Sequence, residues 1–326
     1  MRPAIVALFL LSGCQMKVPA GGELLDTGWF DDGAVTACTA RVQATVPADQ
    51  TAGWSWRGFP HVSVAEASDV YKVRLTDEGG LIQPTTVVVD NTGLNLDVTF
   101  DGGLKPSTGY VLELTDCAGT STVSFRTSEL GLPLQDGPDT VVGRTYELDL
   151  VNATWVEPGG FGSFLASNFD VPVLVGVAYA DAHTLKQNGG PGLVVDGEVR
   201  QDLDRPTWDF PVSSFDDAPW FSTTAASINL DIGGYPLPVH NFRLEATFLP
   251  DGSGLGDGIL VGLGDTRGAS GALGSDDPFT ICNYAAAIGA ACQACPDGLP
   301  FCLSVELHDL VGTEIEGLRL VPVLGN

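Results

Sequence analysis

The run Leu104-Lys-Pro-Ser-Thr-Gly-Tyr110-Val-Leu-Glu-Leu-Thr-Asp-Cys-Ala-Gly119-Thr-Ser-Thr-Val123-Ser-Phe-Arg-Thr127 decides the fold. Tyr110, Leu112 and Leu114 alternate with polar residues, the period of two that lays one face of a strand on a core. Pro106 and Gly109 turn the chain before that strand. Asp116 to Gly119 makes a tight turn, and Val123 and Phe125 carry the next strand back.

Five further β-branched or alternating runs precede this hairpin between turn signals: Ala40–Val46, Val62–Val64, Val70–Leu75, Thr85–Val89 and Leu94–Phe100. About seven strands in some ninety residues predicts an Ig-like sandwich. Together with Val46-Pro47-Ala48-Asp49 near its start, the stretch resembles the bacterial Ig-like domain of the S-layer type over residues 37–128. That resemblance implies a spacer, stalk or interaction module rather than a catalyst. If the seven strands alternate in direction, the first begins at the end where the sixth finishes. Cys38 and Cys117 stand at those two points and are expected to be bonded to each other, contributing about 4 kcal/mol or somewhat more, less if strained.

Residues 129–138 (ELGLPLQDGP) read as a linker, broken by Pro133, Gly137 and Pro138. Residues 139–326 read as a second β-rich domain, a barrel or a sandwich. Its expected strands include Tyr146–Leu150, Val171–Ala180, Leu193–Val199, Ile228–Ile232, Phe242–Phe248, Ile259–Leu263, Leu303–Leu307 and Leu318–Val323. Pro278 to Cys292 is the expected helix, with proline near its start and an alanine-rich body. The segments Gly143–Leu150 and Trp155–Pro158 resemble envelope lipoproteins of no assigned activity, which brings no chemistry with it.

Met1 and Arg2 form a minimal positive start, and Ala4–Leu11 is a short apolar run, the size of a signal-peptide core and well below the ~20 residues of a spanning helix. Leu11-Ser12-Gly13-Cys14 follows at once. Small residues before the cut lie extended in a protease cleft, and the cysteine thiol takes the lipid. These four residues resemble the lipobox of bacterial lipoproteins. The resemblance implies that residues 1–13 are a signal peptide, that Cys14 is acylated, and that residues 14–36 are a tether. An ordinary signal peptide with a chance cysteine is the competing reading. Two or three acyl chains, as such proteins carry, hold durably where one holds marginally. Gln15, in place of aspartate, points to the outer membrane by the sorting rule of that class.

The chain has 326 residues and a formal charge of −26, of which removal of residues 1–13 takes away only Arg2. Such acidity excludes nucleic acid as a partner, because phosphates are repelled. It keeps a protein soluble and suits cations. Seven cysteines less Cys14 leave six, namely Cys38, Cys117, Cys282, Cys292, Cys295 and Cys302. An even remainder in an exported chain reads as disulfides, and the last four allow three pairings. The Cys292-x2-Cys295 spacing also suits zinc, but Cys282 and Cys302 supply no second such pair. A redox role for it requires a βαβ context that this sequence lacks.

Asp251-Gly-Ser-Gly-Leu-Gly-Asp257 is a candidate calcium loop through Asp251 and Asp257, although it lacks the EF-hand ligand order; a plain glycine hairpin is the simpler reading. His61, His183, His240 and His308 are scattered, and no nucleophile elbow, P-loop or HExxH pair occurs. Trp54 and Trp56 share a strand face and suit either sugar stacking or packing. No catalytic residue and no cofactor beyond the covalent lipid is expected. The sequence therefore predicts an all-β, non-enzymatic envelope lipoprotein. An Ig-like spacer presents a disulfide-braced domain for adhesion, surface interaction or envelope structure, with a protein or glycan partner. An envelope hydrolase or carbohydrate-active enzyme in residues 139–326, and a small-ligand β-barrel, are the alternatives.

Overall fold

Among the described residues, nine strands form in the first half of the chain: β1 (Val42–Val46), β2 (Thr51–Trp54), β3 (His61–Val64), β4 (Lys72–Asp77), β5 (Ile82–Gln83), β6 (Thr86–Val89), β7 (Asn95–Thr99), β8 (Gly109–Asp116) and β9 (Gly119–Thr127). The structure, a computed structural model, describes residues 42–68, 71–160, 162 and 171–324. Two sheets face each other, one in the order β1-β3-β7-β6 and the other β2-β9-β8-β4-β5. This is an Ig-like sandwich, with β2 running parallel to β9 along one edge. Val62, Val64, Leu96 and Val98 of the first sheet meet Leu75, Leu112, Leu114 and Phe125 of the second in one buried core.

Tyr110 fixes the turn into β8. Its ring is buried and stacks on Phe125 at 5.7 Å. Its hydroxyl oxygen accepts the Lys105 backbone N–H at 2.8 Å, the corner that Ig-like sandwiches build with a tyrosine. Lys105 then turns its ammonium onto the buried Asp77 carboxylate at 2.7 Å.

The second half forms β10 (Thr145–Leu148), β11 (Thr154–Glu157), β12 (Val173–Ala180), β13 (Thr184–Val195), β14 (Glu198–Gln201), β15 (Trp208–Asp209), β16 (Ser213–Ser214), β17 (Trp220–Ile232), β18 (Tyr235–Phe248), β19 (Gly254–Asp265) and β20 (Cys302–Glu314). They make a single 11-stranded sheet with the main order β14-β13-β12-β10-β20-β19-β18-β17. The domain is β-rich as expected; its sheet does not close into a barrel, and its buried apolar side chains make one core. Phe248 lies at the centre of that core, with the rings of Tyr146, Phe215 and Phe221 at 5.7, 5.9 and 5.0 Å. Side chains fill the interior. The space left among Leu150, Leu237, Val239 and Val305 is about 10 Å³, room for about one water. A small-ligand cavity of the kind the barrel alternative requires is therefore not formed there.

The helix, α1 (Thr280–Ala287), is shorter than expected. Leu318–Val323, read as a strand, is instead an extended strap. Gln201 clasps it, donating to the Val321 carbonyl at 2.7 Å and accepting the Val321 N–H at 2.9 Å. Leu134 is buried in the core of the large sheet, and the Gln135 N–H donates to the Pro250 carbonyl at 2.8 Å.

Tyr110→Phe removes the acceptor for the Lys105 N–H while keeping the ring. It is expected to lower stability by about 1–2 kcal/mol, measured by denaturant unfolding.

Candidate functional site

The four clustered cysteines lie in a lobe between β19 and β20, around α1. Cys282 bonds Cys292, and Cys295 bonds Cys302. This settles one pairing of the three and leaves no thiol of the cluster for zinc. Thr266 ties the lobe to the sheet by donating its hydroxyl to the Phe301 carbonyl at 2.8 Å. The lobe's base carries a charge cluster of Asp265, Arg267 and Asp297. Arg267 clamps Asp265 from its guanidinium and reaches Asp297 at 2.7 Å. Burial pushes the Asp265 carboxyl up, but the Arg267 hydrogen bonds outweigh it and hold the group below its ordinary value. Cys117 is also disulfide-bonded. Its expected partner Cys38 lies outside the described residues, as does Cys14.

The two calcium candidates serve different partners. Asp251 closes its own turn, accepting the Ser253 N–H at 2.9 Å and the Ser253 hydroxyl at 2.7 Å. Asp257 is not in the loop at all, because β19 already begins at Gly254. Its carboxyl is half-buried, and the nearby Ser55 of the sandwich pulls it down against the effect of burial. No group of three or more histidine, cysteine, aspartate or glutamate side chains is arranged for a metal among the described residues.

Each histidine meets a carboxylate. His183 Nδ1 lies 2.6 Å from Asp216, which holds the imidazole above its ordinary value, yet the side chain is 80% exposed. His308 pairs with Glu306 at 2.7 Å and His240 with Asp265 at 3.8 Å. His61 comes nearest to a catalytic order, an arrangement no sequence motif announces. Its Nδ1 lies 2.7 Å from Asp97 and its Nε2 3.4 Å from Ser63 Oγ. The Ser63 hydroxyl, however, donates to Asn95 Oδ1 at 3.1 Å, so its proton is committed away from the base. The trio also sits on the outer face of β3 and β7. The two surface grooves, of about 290 and 260 Å³, are lined by residues such as Glu78 and Arg126 or Arg144 and Arg319, and by no histidine.

Trp54 and Trp56 are packing residues, half-buried with their indole nitrogens inside the protein. Trp56 lies against Gly131, at a φ of 98°, where a Cβ would stand 2.7 Å from the indole. Sugar stacking is thereby excluded for Trp56 in this arrangement. The next residue, Arg57, reaches across to the large sheet and lies 4.1 Å from the Trp220 ring centroid. Residues 55–57 and 130–131 thus meet Trp220, Gly256 and Asp257 in a junction between the sandwich and the large sheet. The sequence gives little sign of it beyond the adjacency of Trp54, Trp56 and Arg57.

No protein-family model matches the chain, and no curated protein matches it in sequence. Among solved structures, domains 1–6 of the surface layer protein SbsC are 11% identical with a TM-score of 0.22, over 89% of this chain and 55% of that one. A cycloalternan-forming enzyme from Listeria monocytogenes, solved with a pentasaccharide substrate, is 14% identical with a TM-score of 0.17, over 72% of this chain and 22% of that one. The chain thus spans about half of the first protein and about a fifth of the second. Likeness at these scores carries no functional argument.

Replacing Cys282 and Cys292 together with serine opens a loop of sequence separation 10. Denaturant unfolding is expected to show a loss of about 2–3 kcal/mol.

Proposed function

We propose that this chain is a non-enzymatic lipoprotein of the bacterial cell envelope, held in the outer membrane through acylated Cys14. The S-layer-type Ig-like sandwich acts as a spacer, and the large curled sheet with its disulfide-braced lobe is the part presented to a protein or glycan partner. The observation that carries the reading is Leu11-Ser12-Gly13-Cys14 directly after the apolar run Ala4–Leu11. Three features support it. Two formed disulfides suit an oxidising compartment. The surface is strongly acidic. The hydroxyl beside the best-placed histidine donates elsewhere.

Fractionation of the native bacterium tests the anchor. The wild-type chain is expected in the outer-membrane fraction and the Cys14→Ala chain in the soluble fraction. A Cys14→Ala chain that still sediments with membrane contradicts the proposal. Protease shaving of intact cells then separates a surface role, in which the mature band is lost, from a periplasmic one.

A further inference from the structure

The junction between the sandwich and the large sheet is built around a carboxyl that has no charge to answer it. β19 carries an extra residue between Leu255 and Gly258, and β20 carries one between Leu307 and Leu310. The two bulges flank the Gly258–Leu310 pair, and each puts an aspartate into the left-handed region, Asp257 at a φ of 49° and Asp309 at 54°. Bulges re-aim side chains and are retained for that use. Here they bring two carboxyls together where the sandwich docks.

The groups around Asp257 come from every element that packs there. From the sandwich, Ser55 faces the carboxyl and favours its charged form. Arg57 belongs to the same loop but spends its guanidinium on the Trp220 and Trp56 rings, at 4.1 and 5.3 Å. From β20, Asp309 adds a like charge, its own Oδ2 accepting the Thr154 hydroxyl of β11 at 2.7 Å. On β18, Glu245 is taken by Arg243 and Ser222. On the connecting segment, Leu130 packs on Gly256 while Glu129 is exposed. One oxygen of Asp257, Oδ2, is buried with no hydrogen-bond partner.

We propose that this junction is a pH-operated hinge: it stays closed while Asp257 carries its proton and opens when Asp257 ionises. An ionised carboxylate there would leave Oδ2 desolvated beside Asp309, a cost relieved only by parting the two layers to admit water. Burial, with Asp309 added to it, holds the group above its ordinary value, against the pull of Ser55. The closed form therefore binds a proton that the open form releases. Closure is fully favoured below the ordinary carboxylate range and is lost as pH rises through the raised value. The proposal does not depend on the lipid anchor.

Small-angle scattering of the full chain between pH 4 and 8 tests this, with Asp257→Asn as the background for the tether and the net charge. The wild-type radius of gyration is expected to rise across a one-proton transition. Asp257→Asn should keep the compact acid-pH value throughout, and Asp309→Asn should move the transition to lower pH. A wild-type radius that is flat with pH overturns the hinge, as does an Asp257→Asn chain that expands in parallel with wild type. If Asp257→Asn fails to fold, amide exchange in wild type decides. Protection of the Ser55–Arg57 amides, normalised to that of β3, is expected to fall about tenfold per pH unit above the transition. Constant protection contradicts the proposal.

Discussion

A single large sheet has to bury one of its faces, and in this protein it does so by curling around Phe248. The rings of Tyr146, Phe215 and Phe221 close on that side chain. The rest of the second half follows from this packing. Tyr146 is held in place by donating its hydroxyl to the Gly252 carbonyl at 2.8 Å, which anchors the turn into β19. Because the inside is filled, binding is left to the outer face, the edges and the lobe. The outer face is partly covered by other pieces of the chain: the strap at Leu318–Val323, which lays Leu320 on Gly176, and the connecting segment, which lays Leu130 on Gly256. The Ig-like sandwich docks beside that segment. It therefore has a fixed seat, held on its neighbour by side chains such as Trp56, Arg57 and Leu130 at the junction.

Where side chains alternate strictly, the strands were legible in the sequence. The hairpin of β8 and β9 is the clearest case, since Tyr110, Leu112, Leu114, Val123 and Phe125 all face the core. Short edge strands such as β2 and β5 were not, because two to four residues carry no period. Long strands were read as pieces. Gln187-Asn-Gly-Gly-Pro-Gly192 has the composition of a turn, yet it lies inside β13. Gly189 has to be bare there, because a Cβ would stand 2.5 Å from the Trp208 ring and 3.0 Å from Phe210. In the same way, Asp251 to Gly258 reads as one glycine loop, but its second half is a bulged strand. That is why the sequence groups Asp257 with Asp251 rather than with Ser55 and Asp309, which only the tertiary fold brings near.

The chemistry follows the same division. Cysteine count and compartment were enough to predict disulfides, whereas the pairing needed the fold. Histidines could be counted, but which carboxylate each meets is a matter of sheet register, as with His61 of β3 opposite Asp97 of β7. Exposed pairs of this kind contribute little and are screened by salt. The buried carboxyls differ. Asp77 and Asp265 each have a cation, Lys105 and Arg267, while Asp257 has none acting on it.

The central claim is the identity of the mature N-terminus, and mass spectrometry of the protein taken from its own membrane tests it most directly. The account predicts a first residue of Cys14 carrying a diacylglyceryl group, with or without an amide-linked acyl chain. An N-terminal peptide that retains residues before Cys14, or that begins at an unmodified cysteine, would contradict it.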